Sequence, residues 1–194
     1  MGTDIHGFIE YRCTHGAPVD DADEDTVWSV ALDLYALYCG RNYDEFGCLF
    51  GVRNLAGFRP LAPDRGLPEE LPEETRTAFG ASEVDFHSPT WISWAELAAV
   101  DWDEPAERAD ERVHVYGPGP DGALVRHTKY SVDHGGRVEG DEWWVGDQLH
   151  RIARLTRRDA VPPNGPWAPV FAVMRTLADL HGPDNVRLTV WFDS

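Results

Sequence analysis

The sequence predicts an α+β fold, a largely antiparallel sheet with a few packed helices, in a single domain over residues 1–194. Three observations lead there. Apolar residues alternate with period two near both ends of the chain, recur at helical spacing in two internal stretches, and flank a Pro-Asp-Gly turn that marks a hairpin. A hydrophobic content of 42% with eight Trp gives core material that an acidic disordered tail lacks, enough for a chain this long to bury roughly 70% of its unfolded surface.

Thr3 to Arg12 reads as the first strand, with Ile5, Gly7, Ile9 and Tyr11 on one face and Asp4, His6, Phe8, Glu10 and Arg12 on the other. Asp20 to Asp25 holds five acids and reads as a solvated loop; it imitates a calcium loop, but Thr26 stands where Gly is required and Leu32 where Glu is required, so an EF-hand is rejected. Trp28 to Leu34 alternates again as a second strand, and Leu34 to Cys39 suits the start of a helix equally well. Asn42 and Glu45 have capping-box spacing, and Phe46, Leu49, Phe50 and Arg53 then predict a helix from about Tyr43 to Asn54. Arg59 to Pro72 is a loop by its Pro and Gly content, leading into the acids Glu69, Glu70, Glu73 and Glu74. Ser93 with Glu96 predicts a capped short helix through Val100, followed by an acidic run from Asp101 to Glu111. Val113 and Val115, then Leu124 and Val125, form the hairpin. Its turn, Gly117 to Gly122, matches GxGxxG by letter only, because a strand and not a helix follows it. Trp167, Val170, Phe171, Met174 and Leu177 form a helical stripe closed by Gly182 and Pro183, and Val186 to Phe192 is a last alternating strand.

Composition excludes several functions. With 17 basic residues against 34 acids the net charge is −17, which repels the phosphates of free nucleic acid and an anionic membrane surface. Fifteen of those acids sit in the three acidic segments, so the charge speaks mainly to solubility and to a basic protein partner. No apolar stretch reaches the roughly 18 residues of a membrane span, and Met1 to Arg12 reads as the start of the fold and not as a leader. Cys13, Cys39 and Cys48 are odd in number and lack CxxC spacing, which fits a reducing cytoplasm. Sixteen of the basic residues are Arg and one, Lys129, is Lys; Arg codon usage or bidentate anion recognition both account for that.

Two Asp-x-His triplets, Asp4-Ile5-His6 and Asp85-Phe86-His87, carry the chemistry best. On an extended segment i and i+2 point the same way, so each triplet presents a carboxylate beside an imidazole, half of a divalent-metal site. The alternative is that each His is an architectural residue held by nearby acids. Glu10 shares the strand face of His6, as an added ligand or general base. Arg41, Asn42 and Asp44 lie where a helix N-terminus attracts an anion, although Asn42 is equally a cap and Arg41 an ion-pair partner. Arg65, beside Gly66, suits ligand approach or a turn-locking salt bridge. Arg151, Arg154 and Arg158 share a helical face, read as solvated, and Trp143 with Trp144 serve packing or stacking. No GxSxG elbow supports a serine nucleophile.

Taken together, Met1-Gly2-Thr3-Asp4-Ile5-His6, Arg41-Asn42-Tyr43-Asp44, Val52-Arg53-Asn54, Arg65-Gly66-Leu67-Pro68, His87-Ser88 with Trp91 and Glu96-Leu97, and Val190-Trp191-Phe192-Asp193 resemble an uncharacterised family of small bacterial and phage proteins. Its members begin with an MGCDIH-like motif and end near a WFDN-like strand. The resemblance spans most of the chain and implies no activity, but gives priority to Asp4, His6, Arg41, Asn42, Arg65, His87 and Asp193. Thr3 stands where that family has Cys, and Ser194 where it has Asn.

The expectation is a cytoplasmic, metal-dependent hydrolase of a small anionic or nucleotide-like substrate. Asp4, His6, Asp85, His87 and Asp193 would hold a divalent metal, Glu10 or Asp44 would be the base, and Arg41, Asn42 and Arg65 would bind the anion. The competing expectation is a non-catalytic acidic module that engages a basic protein partner.

Overall fold

The computed structural model describes residues 2–13, 27–81, 85–133 and 135–194, so the acidic stretch at 20–25 lies outside the described residues. The fold is α+β, built from two four-stranded antiparallel sheets. The first sheet runs in the order β2-β1-β8-β3, from β1 (Asp4–Arg12), β2 (Trp28–Asp33), β3 (His87–Ser93) and β8 (Val186–Asp193). The second runs β5-β4-β7-β6, from β4 (Arg112–Pro118), β5 (Leu124–Ser131), β6 (Glu142–Val145) and β7 (Gln148–Arg151).

The alternation expected for β1 is present, and its pairing with β8 assigns the faces. Ile5, Gly7, Ile9 and Tyr11 sit opposite Phe192, Val190, Leu188 and Val186, while Asp4, His6, Phe8 and Glu10 sit opposite Asp193, Trp191, Thr189 and Arg187. Directly paired residues share a face, so the first set lies on one side of the sheet and the second on the other. The first side packs on α1 (Tyr43–Phe50) and α5 (Ala168–His181): Phe46 and Phe50 meet Phe192 at ring distances of 5.3 and 5.8 Å, and Trp167 is fully buried between Phe50 and Tyr38. Each such side chain removed from water contributes roughly 1.5–3 kcal/mol. The second side is covered by α2 (Glu73–Gly80), whose Phe79 packs edge-on to Trp191 at 5.6 Å. That leaves β8 buried on both faces.

Gly7 is demanded by the sheet: a Cβ there would lie 2.1 Å from the Thr189 carbonyl oxygen, and its φ is 154°. The α1 helix begins with the Asn42 cap as expected, but stops at Phe50 and not at Asn54. Gly51 adopts φ 81° and the chain turns away, placing Val52, Arg53 and Asn54 in a loop. Glu73 and Glu74, expected in a loop, form the first turn of α2, where carboxylates favour the helix dipole. α3 (Trp94–Ala98) carries the expected capping box of Ser93 and Glu96. The arginines expected on one helical face are dispersed: Arg151 ends β7, Arg154 lies in coil, and Arg157 and Arg158 open α4 (Arg157–Ala160), each paired with an acid. Among the described residues no helix is long and apolar enough to cross a membrane.

Candidate functional site

The two Asp-x-His segments come to the same end of the first sheet, but on opposite faces. His6 pairs with Trp191 and therefore lies on the α2 side, where its Nε2 is 3.2 Å from Asp193 Oδ2 and its ring packs on Phe86 at 5.3 Å. His87 pairs with Phe192 and stacks on that ring at 6.1 Å on the α1 side. The sheet separates them, so the expected shared shell of Asp4, His6, Asp85, His87 and Asp193 is not assembled in this arrangement. Asp4 is engaged by a bidentate ion pair with Arg41, which holds its carboxyl below the usual carboxylate range. Asp85 is exposed in a turn. Among the described residues no three His, Cys, Asp or Glu side chains gather to hold a metal ion.

What His87 does meet is a pocket of about 550 Å³ in which the polar side chains of Thr3, Arg53, Asp64, Ser88 and Ser194 join an apolar lining that includes Phe50 and Val52. Four contacts form one chain: Arg53 Nε to Thr3 Oγ1, Thr3 Oγ1 to Ser194 Oγ at 3.1 Å, Ser194 Oγ to His87 Nε2 at 3.0 Å, and His87 Nδ1 to Ser88 Oγ at 3.1 Å. Arg53 can only donate; a polarity consistent with that runs through the two hydroxyls to His87 Nε2 as acceptor, with Nδ1–H donating to Ser88, and it leaves Nε2 facing Ser194 Oγ, where a general base would stand.

Three non-glycine residues among those described have positive φ: Arg53 at 49°, Asp64 at 43° and Ser88 at 50°, and all three line this pocket. A left-handed conformation costs a non-glycine residue roughly 1–3 kcal/mol. The cost at Ser88 is compounded by the following Pro89, which disfavours helical backbone in the residue before it. Local causes are visible. Arg53 follows the helix-ending Gly51, with Asn54 clamping the Phe58 backbone by two hydrogen bonds of 2.7 and 3.0 Å, and Ser88 sits in the β3–β8 bulge between His87 and Thr90. Arg53 has a further distinction. Among the described residues twelve arginines make ion pairs with carboxylates, whereas Arg53 rests its guanidinium on the Tyr43 ring at 5.3 Å.

Asp44 belongs to a second polar centre. Its carboxylate pairs with Arg112 and lies 2.6 Å from Lys129 Nζ, which is also 2.8 Å from Asp110 Oδ2. Asp110 is fully buried and further accepts from Arg112 at 2.8 Å and meets His114 Nε2 at 2.9 Å. Burial alone would raise both carboxyls, but Lys129 and Arg112 hold Asp44 low, and His114, Arg112 and Lys129 hold Asp110 far below the usual range. Burial conversely pushes the Lys129 amine below its usual value, against the pull of both carboxylates. The acidic run from Asp101 to Glu111, read from its charge as a matter of solubility, therefore has one fully buried member: Asp110 anchors a charge cluster.

The remaining expected residues are architectural. Glu10 is fully buried, and its two oxygens accept from Thr75 Oγ1, Arg187 Nε and Thr189 Oγ1 at 2.6, 2.6 and 3.0 Å, leaving it no access to a substrate. Asn42 caps α1 by accepting from the Asp44 amide at 3.0 Å, and Arg65 pairs with Glu96 at 2.8 Å while stacking on Trp91. The residues that single-residue reasoning missed are Thr3, Asp64, Ser88 and Ser194 around His87, and the partners Asp110, Arg112 and Lys129 of Asp44. For the second group one signal existed, the solitary lysine. No protein-family model, curated protein or solved structure matches the chain.

Proposed function

We propose that the His87 pocket binds a small anionic substrate and that the protein is a hydrolase acting there, in a cytoplasmic setting. The observation that carries this reading is the gathering of all three strained non-glycine residues around one histidine, since such strain persists chiefly where the surroundings impose a functional geometry. Arg53, unpaired with any carboxylate among the described residues, forks onto the anion beside the Thr3 and Ser88 hydroxyls. His87 Nε2 takes the proton of the attacking hydroxyl, that of Ser194 or of a water in its place, and returns it to the leaving group.

The divalent metal expected from the sequence fits this pocket only in a reduced role. Asp64 is the carboxylate side chain among its lining residues, and a Mg²⁺-like ion is commonly held by one carboxylate together with substrate oxygens. Such an ion would neutralise charge on the bound anion.

Calorimetric titration with inorganic phosphate tests the binding, and turnover of a panel of nitrophenyl and nucleoside phosphates, with and without chelator, tests the chemistry. Arg53→Ala is expected to weaken phosphate binding roughly tenfold or more, the loss of one charge-assisted fork. His87→Gln is expected to abolish turnover while keeping the fold, and Ser194→Ala separates a serine nucleophile from water. Equal turnover in His87→Gln removes the hydrolase reading. Absence of any anion binding leaves the acidic module with a basic protein partner as the better account.

A further inference from the structure

We propose that Lys129 is a nucleophilic amine that forms an imine with an anionic carbonyl compound seated in the groove between α1 and β5. This site is separate from the His87 pocket and does not depend on it.

The groove, of about 560 Å³, has Arg41, Asp44, Arg112, Arg126, His127 and Lys129 in its lining. Four requirements of imine chemistry meet in it. The first is an amine at the floor of an open groove: the Lys129 side chain is 10% exposed. The second is a group to take its proton. Asp110 is saturated by Arg112, His114 and Lys129, whereas Asp44 is 9% exposed in the groove wall with its Oδ2 2.6 Å from Nζ. The third is a counter-charge for an anionic substrate. Arg126 makes no ion pair among the described residues and lines the groove with His127, while Arg112 is committed to Asp44 and Asp110, and Arg41 to Asp4. The fourth is partial desolvation: burial lowers the Lys129 amine against the pull of Asp44 and Asp110, which favours its neutral form.

The step balances without any other reagent. Asp44 accepts a proton from the ammonium, the Nζ lone pair attacks the carbonyl carbon, and the resulting alkoxide takes a proton from the nitrogen to give the neutral carbinolamine. Asp44 then returns its proton to the carbinolamine hydroxyl, the C–O bond breaks, water leaves and the C=N bond closes. A purely structural Lys129, locked between two carboxylates, would instead be protected from electrophiles. The two accounts therefore predict opposite reactivities.

Because Lys129 is the only lysine, the chain offers one side-chain amine, and its α-amino group is separated from it by peptide mapping. The full-length protein is incubated with pyridoxal phosphate, with pyridoxal lacking the phosphate, or with glyoxylate, then reduced with borohydride and analysed by intact mass and peptide mapping. The expected result is one adduct at Lys129, formed faster than on a free lysine derivative at the same neutral pH, with the two anionic aldehydes outpacing pyridoxal. Arg126→Ala, at an exposed position with no ion pair among the described residues, is expected to slow pyridoxal phosphate labelling roughly tenfold while leaving pyridoxal little changed. An adduct confined to the α-amino group, or Lys129 labelled more slowly than the free derivative, overturns the proposal. Labelling that Arg126→Ala does not alter overturns its anionic specificity.

Discussion

Replacing Asp110 by Asn removes the charge on which three basic groups converge. Asp110 accepts from Arg112 Nε and Nη2 at 2.8 Å each, from Lys129 at 2.8 Å, and pairs with His114 at 2.9 Å; Asp110 and His114 are fully buried, and Arg112 and Lys129 are mostly so. The neutral amide keeps one acceptor, so Lys129 and Arg112 must share Asp44. One buried positive charge is then uncompensated, at a cost of about 3–5 kcal/mol. For a chain of this size that corresponds to a fall in Tm of roughly 6–20 °C. Urea unfolding at neutral pH, followed by Trp fluorescence, measures it, with the exposed Asp103–Arg158 pair as a control in which Asp103→Asn should produce no measurable change. The double variant Asp110→Asn, Lys129→Met is expected to recover part of the loss, because it removes the orphaned ammonium together with its partner. A loss under about 1 kcal/mol, or a double variant no better than the single one, would show that water reaches the cluster and that its burial is misjudged.

Three further outcomes follow from the same contacts. The folded carboxyls of Asp44 and Asp110 lie below their unfolded values, so their contribution is fully present above about pH 4 and is lost as pH falls through the folded values; unfolding free energy should drop steeply on acidification in the native protein and less steeply in Asp110→Asn. Gly7→Ala drives a methyl group into the Thr189 carbonyl at a strained φ, and should cost about 2 kcal/mol or more in the same urea assay. With Asp4 bound to Arg41 and the two histidines on opposite faces, Mn²⁺ alone should leave Tm unchanged, whereas Mn²⁺ with phosphate should raise it through the Asp64 side of the His87 pocket.

Much of the fold is legible because burial imposes a period on the sequence. β1 and β8 bury a complete face, so their alternation is clean; α5 buries Val170, Met174 and Ala178 at helical spacing and is equally clear. The short strands β6 and β7 are not, since each has four residues and β6 is largely exposed, leaving no apolar contrast to read. Sites fare worse for a different reason. That Asp4 and His6 share a face is a local property, but which face His87 takes depends on its register against Phe192, a residue far along the chain, and on the bulge beside it at Ser88. Asp110 was hidden among neighbours of the same charge, because composition averages over residues whose burial differs completely. Ser194 and Thr3 acquire meaning only through the side chains they touch.

The position of β8 reaches beyond architecture. It lies between β1 and β3 in the first sheet, so β1 gains its second neighbour only after a segment far along the chain has been synthesised. Contacts this distant in sequence close slowly, and until they do, Ile5, Ile9 and the aromatic side chains of α1 remain uncovered. On the ribosome the nascent chain therefore passes through a long interval with an open β1 edge and an apolar face exposed to solvent. During that interval its many acidic side chains provide the like-charge repulsion that keeps unfinished chains apart.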